Sequence, residues 1–147
     1  MGLINRLENK TVFIDTAPLI YYIEEKKEYA TVLNKLFDAN EQNKFQFSTS
    51  VLTLMEILVQ PIRMKAKGLV KEYENIICNS KTLDIYDINI EIARKAAEIR
   101  AVYGFKTPDS IQLATAISTN SDYFLTNDKR LKSFKGIKII VIDEITD

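Results

Sequence analysis

The chain reads as an α/β protein in which a mostly parallel sheet of about five strands is covered by helices on both faces. Two observations predict this. Short apolar runs of strand length alternate with longer amphipathic stretches of helical period along the 147 residues, and that alternation is the pattern of strands joined by helical crossovers. The segment "DSIQLATAIS" is small and apolar nearly all round, as suits a helix packed closely on a sheet. The length fits one domain, taken as residues 1–147.

In order, "TVFID" at 11–15 is a buried strand ending on an acid, followed by helices near 17–25 and 29–41. In the second of these Val32, Leu33, Leu36 and Phe37 share a face. The charged cluster Glu24–Glu28 marks a turn or helix end. "FQFSTS" alternates as a strand and runs into a helix near 50–60, and another helix spans roughly 62–79. A short strand near 82–86 precedes an amphipathic helix at 88–103, with Ile88, Ile92, Ala96, Ile99 and Tyr103 at helical spacing and Gly104 as its stop. In "TPDS" Thr107 is placed to cap, Pro108 suits a first turn, and Asp109 suits the positive end of the helix dipole. "DYFLT" and "IKIIVI" complete the strands.

Composition removes whole classes of chemistry. There is no histidine and a single cysteine, Cys78, which excludes Ser-His-Asp and Cys-His machinery, His-ligated zinc and an internal disulfide. Cys78 follows Ile76 and Ile77 and reads as a packing residue. Four scattered glycines form neither a dinucleotide fingerprint nor a P-loop. The uncharged runs between Lys44 and Glu56 and between Asp109 and Asp122 are 11 and 12 residues long, short of the roughly 18 that a membrane helix needs. With no export signal at the start, a cytoplasmic location is expected.

Any catalysis must therefore run on carboxylates, hydroxyls, lysines or an oxygen-held metal. Four acids stand out: Asp15 after the first strand, Glu56 in "VLTLMEILV", Asp109 opening a helix, and Asp128 after "FLTN". Each alone has an ordinary reading. Asp15 is a potential N-cap, Asp109 is good helix-start chemistry, Asp128 caps a turn, and Glu56 shares a polar stripe with Thr49, Thr53, Gln60 and Arg63. Together they read differently. In open parallel sheets, sites form beyond the carboxyl ends of strands where strand order reverses, and Asp15 and Asp128 lie at such ends. Two carboxylates about 4 Å apart repel by roughly 4 kcal/mol at an effective dielectric near 20, so a converging cluster calls for a divalent cation, with oxygen ligands suiting Mg²⁺ or Mn²⁺.

The motifs "VFIDTAPLIYYIE", "STSVLTLMEIL", "DSIQLATAI" and "DYFLTNDKRL", in this order and nearly end to end, resemble the PIN domain nucleases, especially the toxins of VapBC-type toxin–antitoxin pairs. The resemblance implies a three-layer α/β/α fold and a Mg²⁺ or Mn²⁺ site built from Asp15, Glu56, Asp109 and Asp128 that cleaves RNA. It sets Thr16 and Thr126 beside that site, where a hydroxyl orients a carboxylate or water. It further implies an RNA substrate, a cognate antitoxin filling the acidic cleft, and a homodimer without membrane association. Ala17 departs from the pattern, standing where many relatives carry Asn or Ser.

The formal net charge is zero, yet basic residues cluster. Arg63, Lys65, Lys67 and Lys71 lie in 61–71 without an acid, and Lys129, Arg130, Lys132, Lys135 and Lys138 face only Asp128 in 128–138. These stretches are either solvated faces or a rim that contacts phosphates. Arg63, Lys65, Lys67, Lys106, Lys129 and Arg130 are the RNA contacts expected. The run Ala17–Ile23, with Tyr21 and Tyr22, either packs on the sheet or offers an antitoxin surface. Rival readings are a catalytically silent scaffold of this fold and a receiver-like signalling domain. A receiver domain wants a second acid after the first strand, where Thr16-Ala17 stands, as does a phosphatase of the D-x-D type. A two-carboxylate glycosidase is the remaining chemical option.

Overall fold

The computed structural model describes residues 2–146. Five strands, β1 (Thr11–Ile14), β2 (Gln46–Ser50), β3 (Leu83–Tyr86), β4 (Tyr123–Thr126) and β5 (Lys138–Val141), form one sheet in the order β3-β2-β1-β4-β5. All four strand pairs are parallel, with Phe13 in register with Ser48 on one side and Phe124 on the other. Seven α-helices pack around it: α1 (Gly2–Leu7), α2 (Thr16–Ile23), α3 (Ala30–Glu41), α4 (Val51–Arg63), α5 (Lys67–Cys78), α6 (Ile90–Tyr103) and α7 (Thr107–Ser118). Short 3₁₀ helices at Lys129–Ser133 and Ile142–Glu144 follow β4 and β5.

The two-residue period of β1 divides the core. Val12 and Ile14 face a layer supplied by α1 to α5, including Leu7, Leu19, Leu33, Ile57 and Ile77. Phe13 faces the other layer, with Ile92, Ile99, Leu113 and Phe134. β4 repeats the division, Leu125 toward the first layer and Phe124 toward the second. Phe13 and Phe124 stack across neighbouring strands, ring centroids 5.3 Å apart. Covering a parallel sheet on both faces in this way yields the α/β/α sandwich.

Chain order creates one crossing point. From β1 the chain moves outward through β2 to β3, then returns by way of α6 and α7 to enter β4 on the opposite flank of β1. The carboxyl ends of β1 and β4, which point into the reversal, hold Asp15 and Asp128 just beyond them.

Several local expectations change. The helix expected at 62–79 is displaced: α4 continues through Pro61 to Arg63, and Lys65 takes a left-handed conformation at φ +57° before α5 begins at Lys67. Lys65 N–H donates to the Ile62 carbonyl at 2.9 Å and Ala66 N–H to that of Pro61 at 3.0 Å, so α4 closes in a Schellman-type stop that terminates it without glycine. Thr107 is the first residue of α7 rather than its cap; Lys106 occupies the cap position without a side-chain bond. Cys78 is exposed at the end of α5, because the buried face there is set by Tyr73 and Ile77. Gly104 ends α6 as its position implies, at φ +72° with its N–H on the Arg100 carbonyl at 2.8 Å. Among the described residues, no helix is long and apolar enough to cross a membrane.

The stacked pair at the sheet centre gives a direct test. Phe124→Ala removes a ring with no exposed surface and is expected to lower unfolding free energy by about 3–5 kcal/mol. Urea denaturation checks this, and a loss under about 1 kcal/mol contradicts the packing described.

Candidate active site

Asp15 is the N-cap of α2. Its Oδ1 accepts the Thr16 N–H at 2.9 Å, and its Oδ2 accepts the Thr126 hydroxyl at 2.9 Å from the end of β4. The same carboxylate therefore caps a helix and joins two neighbouring strand ends. Glu56 enters from α4, which begins where β2 ends, with Ser50 capping through the Leu52 N–H, and its carboxylate accepts the Thr16 hydroxyl. Asp109 lies in the first turn of α7. Asp128 caps the 3₁₀ helix after β4 by accepting the Arg130 N–H at 3.0 Å. All four line one cleft of about 730 Å³, together with Tyr21, Gln112, Lys129, Arg130 and Asp143.

Beneath the acids lies a buried polar relay that the sequence reading did not assemble. Ser50 donates to Gln112 Oε1 at 2.5 Å, and Gln112 Nε2 donates to Thr53 Oγ1 at 2.7 Å, with a longer approach of 3.4 Å to Asp15 Oδ1. Thr16 donates to Glu56 Oε1 at 2.6 Å and lies 3.2 Å from Thr53 Oγ1. With the Thr16 proton on Glu56, Thr53 is the donor in that contact. The relay runs Ser50, Gln112, Thr53, Thr16, Glu56, and Thr49 stands beside it with its hydroxyl on the Ile14 carbonyl at 2.9 Å. Thr49, Ser50, Thr53 and Gln112 are buried. Their signal in the sequence is that they interrupt otherwise apolar helical and strand faces. Groups of this kind persist in a core only when each is bonded.

Three of the four acids depart from ordinary carboxylate behaviour. Burial pushes Asp15 up to about 6 against the hydrogen bonds from Thr16 and Thr126, with the Asp109 charge adding to the rise. Asp109 is also raised, first by burial and then by Asp128, while Arg130 and Lys106 oppose. Its carboxylate has no hydrogen-bond or ion-pair partner among the described residues. Asp128 is lowered, because the Arg130 side chain grips it through Nε at 3.0 Å and a second nitrogen at 2.5 Å.

Thr16 and Thr126 sit beside the acids, each donating to one of them. Lys129 and Arg130 line the cleft. Lys106 is exposed at its edge, close enough for its charge to act on Asp109 and Asp128. Arg63, Lys65 and Lys67 lie exposed at the α4–α5 junction and do not line the cleft. The run Ala17–Ile23 divides: Pro18 and Leu19 are buried, Tyr22 stacks on Phe37 at 3.6 Å, and Ala17, Ile20 and Tyr21 face the cleft.

Five acids against two bases among the lining residues leave the cleft negative. The donors are all oxygen, which fits a hard divalent cation in charge and type. As the side chains stand, no three acids among the described residues are grouped closely enough to hold a metal. Thr16 fixes Glu56, and Arg130 occupies Asp128.

The PIN domain family matches residues 12–137. The chain belongs to the PIN domain family. Solved structures agree with the fold of this PIN domain. FitAB bound to an IR36 DNA fragment matches with TM-score 0.71 at 16% identity, covering 92% of this chain and 98% of that one. VapBC2 from Rickettsia felis, bound to a DNA fragment from its promoter, matches at 0.70 and 17%, covering 89% and 98%. VapC20 of Mycobacterium tuberculosis, a toxin that cleaves the sarcin–ricin loop, matches at 0.67 and 14%, covering 86% and 98%. A comparison with curated protein sequences returns no match.

The raised Asp15 makes stability depend on pH. Its folded value of about 6 exceeds the ordinary aspartate value of 3.8, so the native state binds more protons than the unfolded chain between these limits. The contribution is fully favourable below about 4 and is lost as pH rises through 6, a change of roughly 3 kcal/mol. In chelator, the melting temperature is expected to climb as pH falls from 8 to 5, and Asp15→Asn is expected to flatten that climb. Calorimetric melts across this range decide it; an identical pH slope in wild type and variant refutes the assignment.

Proposed function

We propose that this PIN domain is a metal-dependent endoribonuclease acting as the toxin of a toxin–antitoxin pair. The observation that carries the reading is the joining of Asp15, Glu56, Asp109 and Asp128, far apart in the chain, along one negative cleft at the strand-order reversal. Likeness in fold to a toxin that cleaves the sarcin–ricin loop supports RNA as the substrate.

In this reading the four acids hold Mg²⁺ or Mn²⁺. When bound, the metal supplies Lewis acidity that activates water and stabilises charge building on a phosphodiester. The chain's own groups do the positioning. Thr126 and the Thr16 N–H fix both oxygens of Asp15, while Gln112, held by Ser50, steadies Thr53 and through it the Thr16–Glu56 pair. Lys106 and Lys129 offer charge to phosphates at the rim. Arg130 holds Asp128 in the free protein and is placed to hold a phosphate oxygen when Asp128 turns inward. The cleft-facing half of α2, with Ile20 and Tyr21, serves an antitoxin segment that blocks the acids. The likeness in fold to VapBC complexes and to a toxin–antitoxin complex from Klebsiella pneumoniae supports that partner. A homodimer without membrane association completes the reading.

A catalytically silent scaffold is the alternative, favoured by the Arg130–Asp128 ion pair and by the lack of a ready-grouped acid triad among the described residues. Two measurements separate them. Mn²⁺ titration is expected to raise the melting temperature of wild type by several degrees and leave Asp15→Asn unmoved. Asp15→Asn is expected to keep its fold and lose RNA cleavage by about a hundredfold or more. Full cleavage by the purified variant refutes the nuclease, and a wild type with neither metal response nor cleavage establishes the scaffold. Arg130→Ala, by freeing Asp128, is expected to lower the Mn²⁺ midpoint in the same titration, by about tenfold. An unchanged midpoint removes Asp128 from the metal site.

A further inference from the structure

We propose that Asn127, between Thr126 and Asp128, is a positioning residue of the acid site. Its amide clamps the loop after β4 to Tyr29 on one side and to the chain after β5 on the other, and so fixes where Thr126 and Asp128 stand against Asp15. The consequence for metal and RNA rests on the nuclease reading; the clamp itself does not.

The three residues of the loop divide their side chains. The Thr126 hydroxyl donates to Asp15 Oδ2 at 2.9 Å and accepts the Asp128 N–H at 3.2 Å, so one oxygen links two of the acids. Asp128 is paired with Arg130. Asn127 is bonded to neither acid. Its Nδ2 donates to the Tyr29 hydroxyl at 3.1 Å, 98 positions away, and its Oδ1 accepts the Asp143 N–H at 3.1 Å, 16 positions away. A backbone N–H can only donate, which sets the amide oxygen on Asp143 and leaves the nitrogen for Tyr29. Asparagine in a loop ordinarily bonds backbone a residue or two away and shapes its own turn. Here both ends of the amide serve other segments, and Asp128 makes the local turn by accepting the Arg130 N–H at 3.0 Å.

What Asn127 grips is itself anchored. Tyr29 stands at the start of α3, and its ring stacks on Tyr21 with centroids 4.5 Å apart. Lys26 Nζ lies near both rings, 4.7 Å and 5.5 Å from their centroids. Tyr21 lines the cleft, as do Asn127 and Asp143. Asp143 follows β5 in the second 3₁₀ helix, next to the buried Ile142. The amide therefore ties the aromatic wall of the cleft and the exit of β5 to the loop that carries Thr126 and Asp128.

The loop needs such a tie. The charge of Asp128 acts unfavourably on Asp109 across the cleft, and a loop free to move relieves that repulsion by swinging outward. Two bonds from outside the loop oppose the swing. Both a donor and an acceptor are required at this position, one for each neighbour, and a primary amide supplies them without adding a further charge to a negative cleft.

The test combines a readout of the loop with readouts of the site. Amide hydrogen exchange by NMR, in EDTA, follows the N–H groups of Asp128 and Asp143, with those of Phe13 and Phe124 in the sheet centre as reference. In Asn127→Ala the Asp128 and Asp143 amides are expected to exchange about tenfold faster while the reference amides hold. Tyr29→Phe, which keeps the ring and its stack, is expected to loosen Asp128 by less. In thermal melts the Mn²⁺ midpoint of Asn127→Ala is expected to rise about tenfold, and that of Tyr29→Phe about threefold. With excess enzyme on a labelled RNA pool, Asn127→Ala is expected to lower the maximal cleavage rate about tenfold and leave the half-saturating enzyme concentration within about twofold. Asn127→Ala/Tyr29→Phe is expected to lose no more than Asn127→Ala alone, because both substitutions break the same bond.

The proposal is overturned if the Asp128 amide of Asn127→Ala stays as protected as in wild type. It is also overturned if the double variant loses the product of the two single losses, or if the half-saturating concentration rises at an unchanged maximal rate, which makes Asn127 a substrate contact. A wild type without Mn²⁺ response or cleavage, whose Asp128 amide loosens in both variants, refutes the nuclease and upholds the clamp. A cleaving enzyme whose variants keep the wild-type rate and Mn²⁺ midpoint refutes the positioning role alone.

Discussion

The organisation of this molecule turns on a carboxylate held at the end of the central strand with no ammonium or guanidinium group paired to it among the described residues. Asp15 cannot turn away, because the Thr16 N–H and the Thr126 hydroxyl take one oxygen each. Those bonds favour the ionised form, yet burial outweighs them and the group rises to about 6. The balance identifies the site. Hydrogen bonds orient the group, while no ammonium or guanidinium among the described residues lowers it, and Asp109 across the cleft adds to the cost. A helix cap alone needs none of this: a surface serine or asparagine caps as well.

Such an arrangement requires a support that resists the repulsion, and the polar layer under the cleft provides it. Ser50, Thr53 and Gln112 come from the end of β2, from α4 and from α7, so one set of bonds joins the elements that carry Asp15, Glu56 and Asp109. Each is fully buried, and removing one leaves its partner unbonded in the core at a cost of about 1–3 kcal/mol. Core bonding and site geometry are therefore the same interactions. Arg130 completes the electrostatics from outside by neutralising Asp128, the one acid of the four that is lowered.

Neutral overall composition conceals a polar molecule. Acids concentrate at the carboxyl ends of β1 and β4, while Lys10 and Lys138 stand at the amino ends of β1 and β5. The parallel sheet separates the two groups by the length of its strands, and the 3₁₀ helix after β4 bridges them.

From the sequence alone, the α/β class, the five strands and the family resemblance of four spaced motifs could be read, and the four acids singled out as candidates. Hydrophobic period, caps and strand-end acids are local properties, and local order survives in a one-dimensional string. The stop of α4 after Pro61 was not legible, since a left-handed Lys65 carries no residue signature of the kind glycine gives. Nor was the exposure of Cys78, where two preceding isoleucines suggested a buried face that Ile77 alone occupies fully. Tertiary structure decided which polar residues work together. Gln112 lies 97 positions from Asp15 and 59 from Thr53, and its partnership with them exists only because a parallel sheet places β2 and β1 side by side beneath α7. It likewise decided that Arg63 and Lys67 stand away from the acids. Charge meets charge through space, and distance through space is set by the crossing of the chain, which no spacing along it encodes.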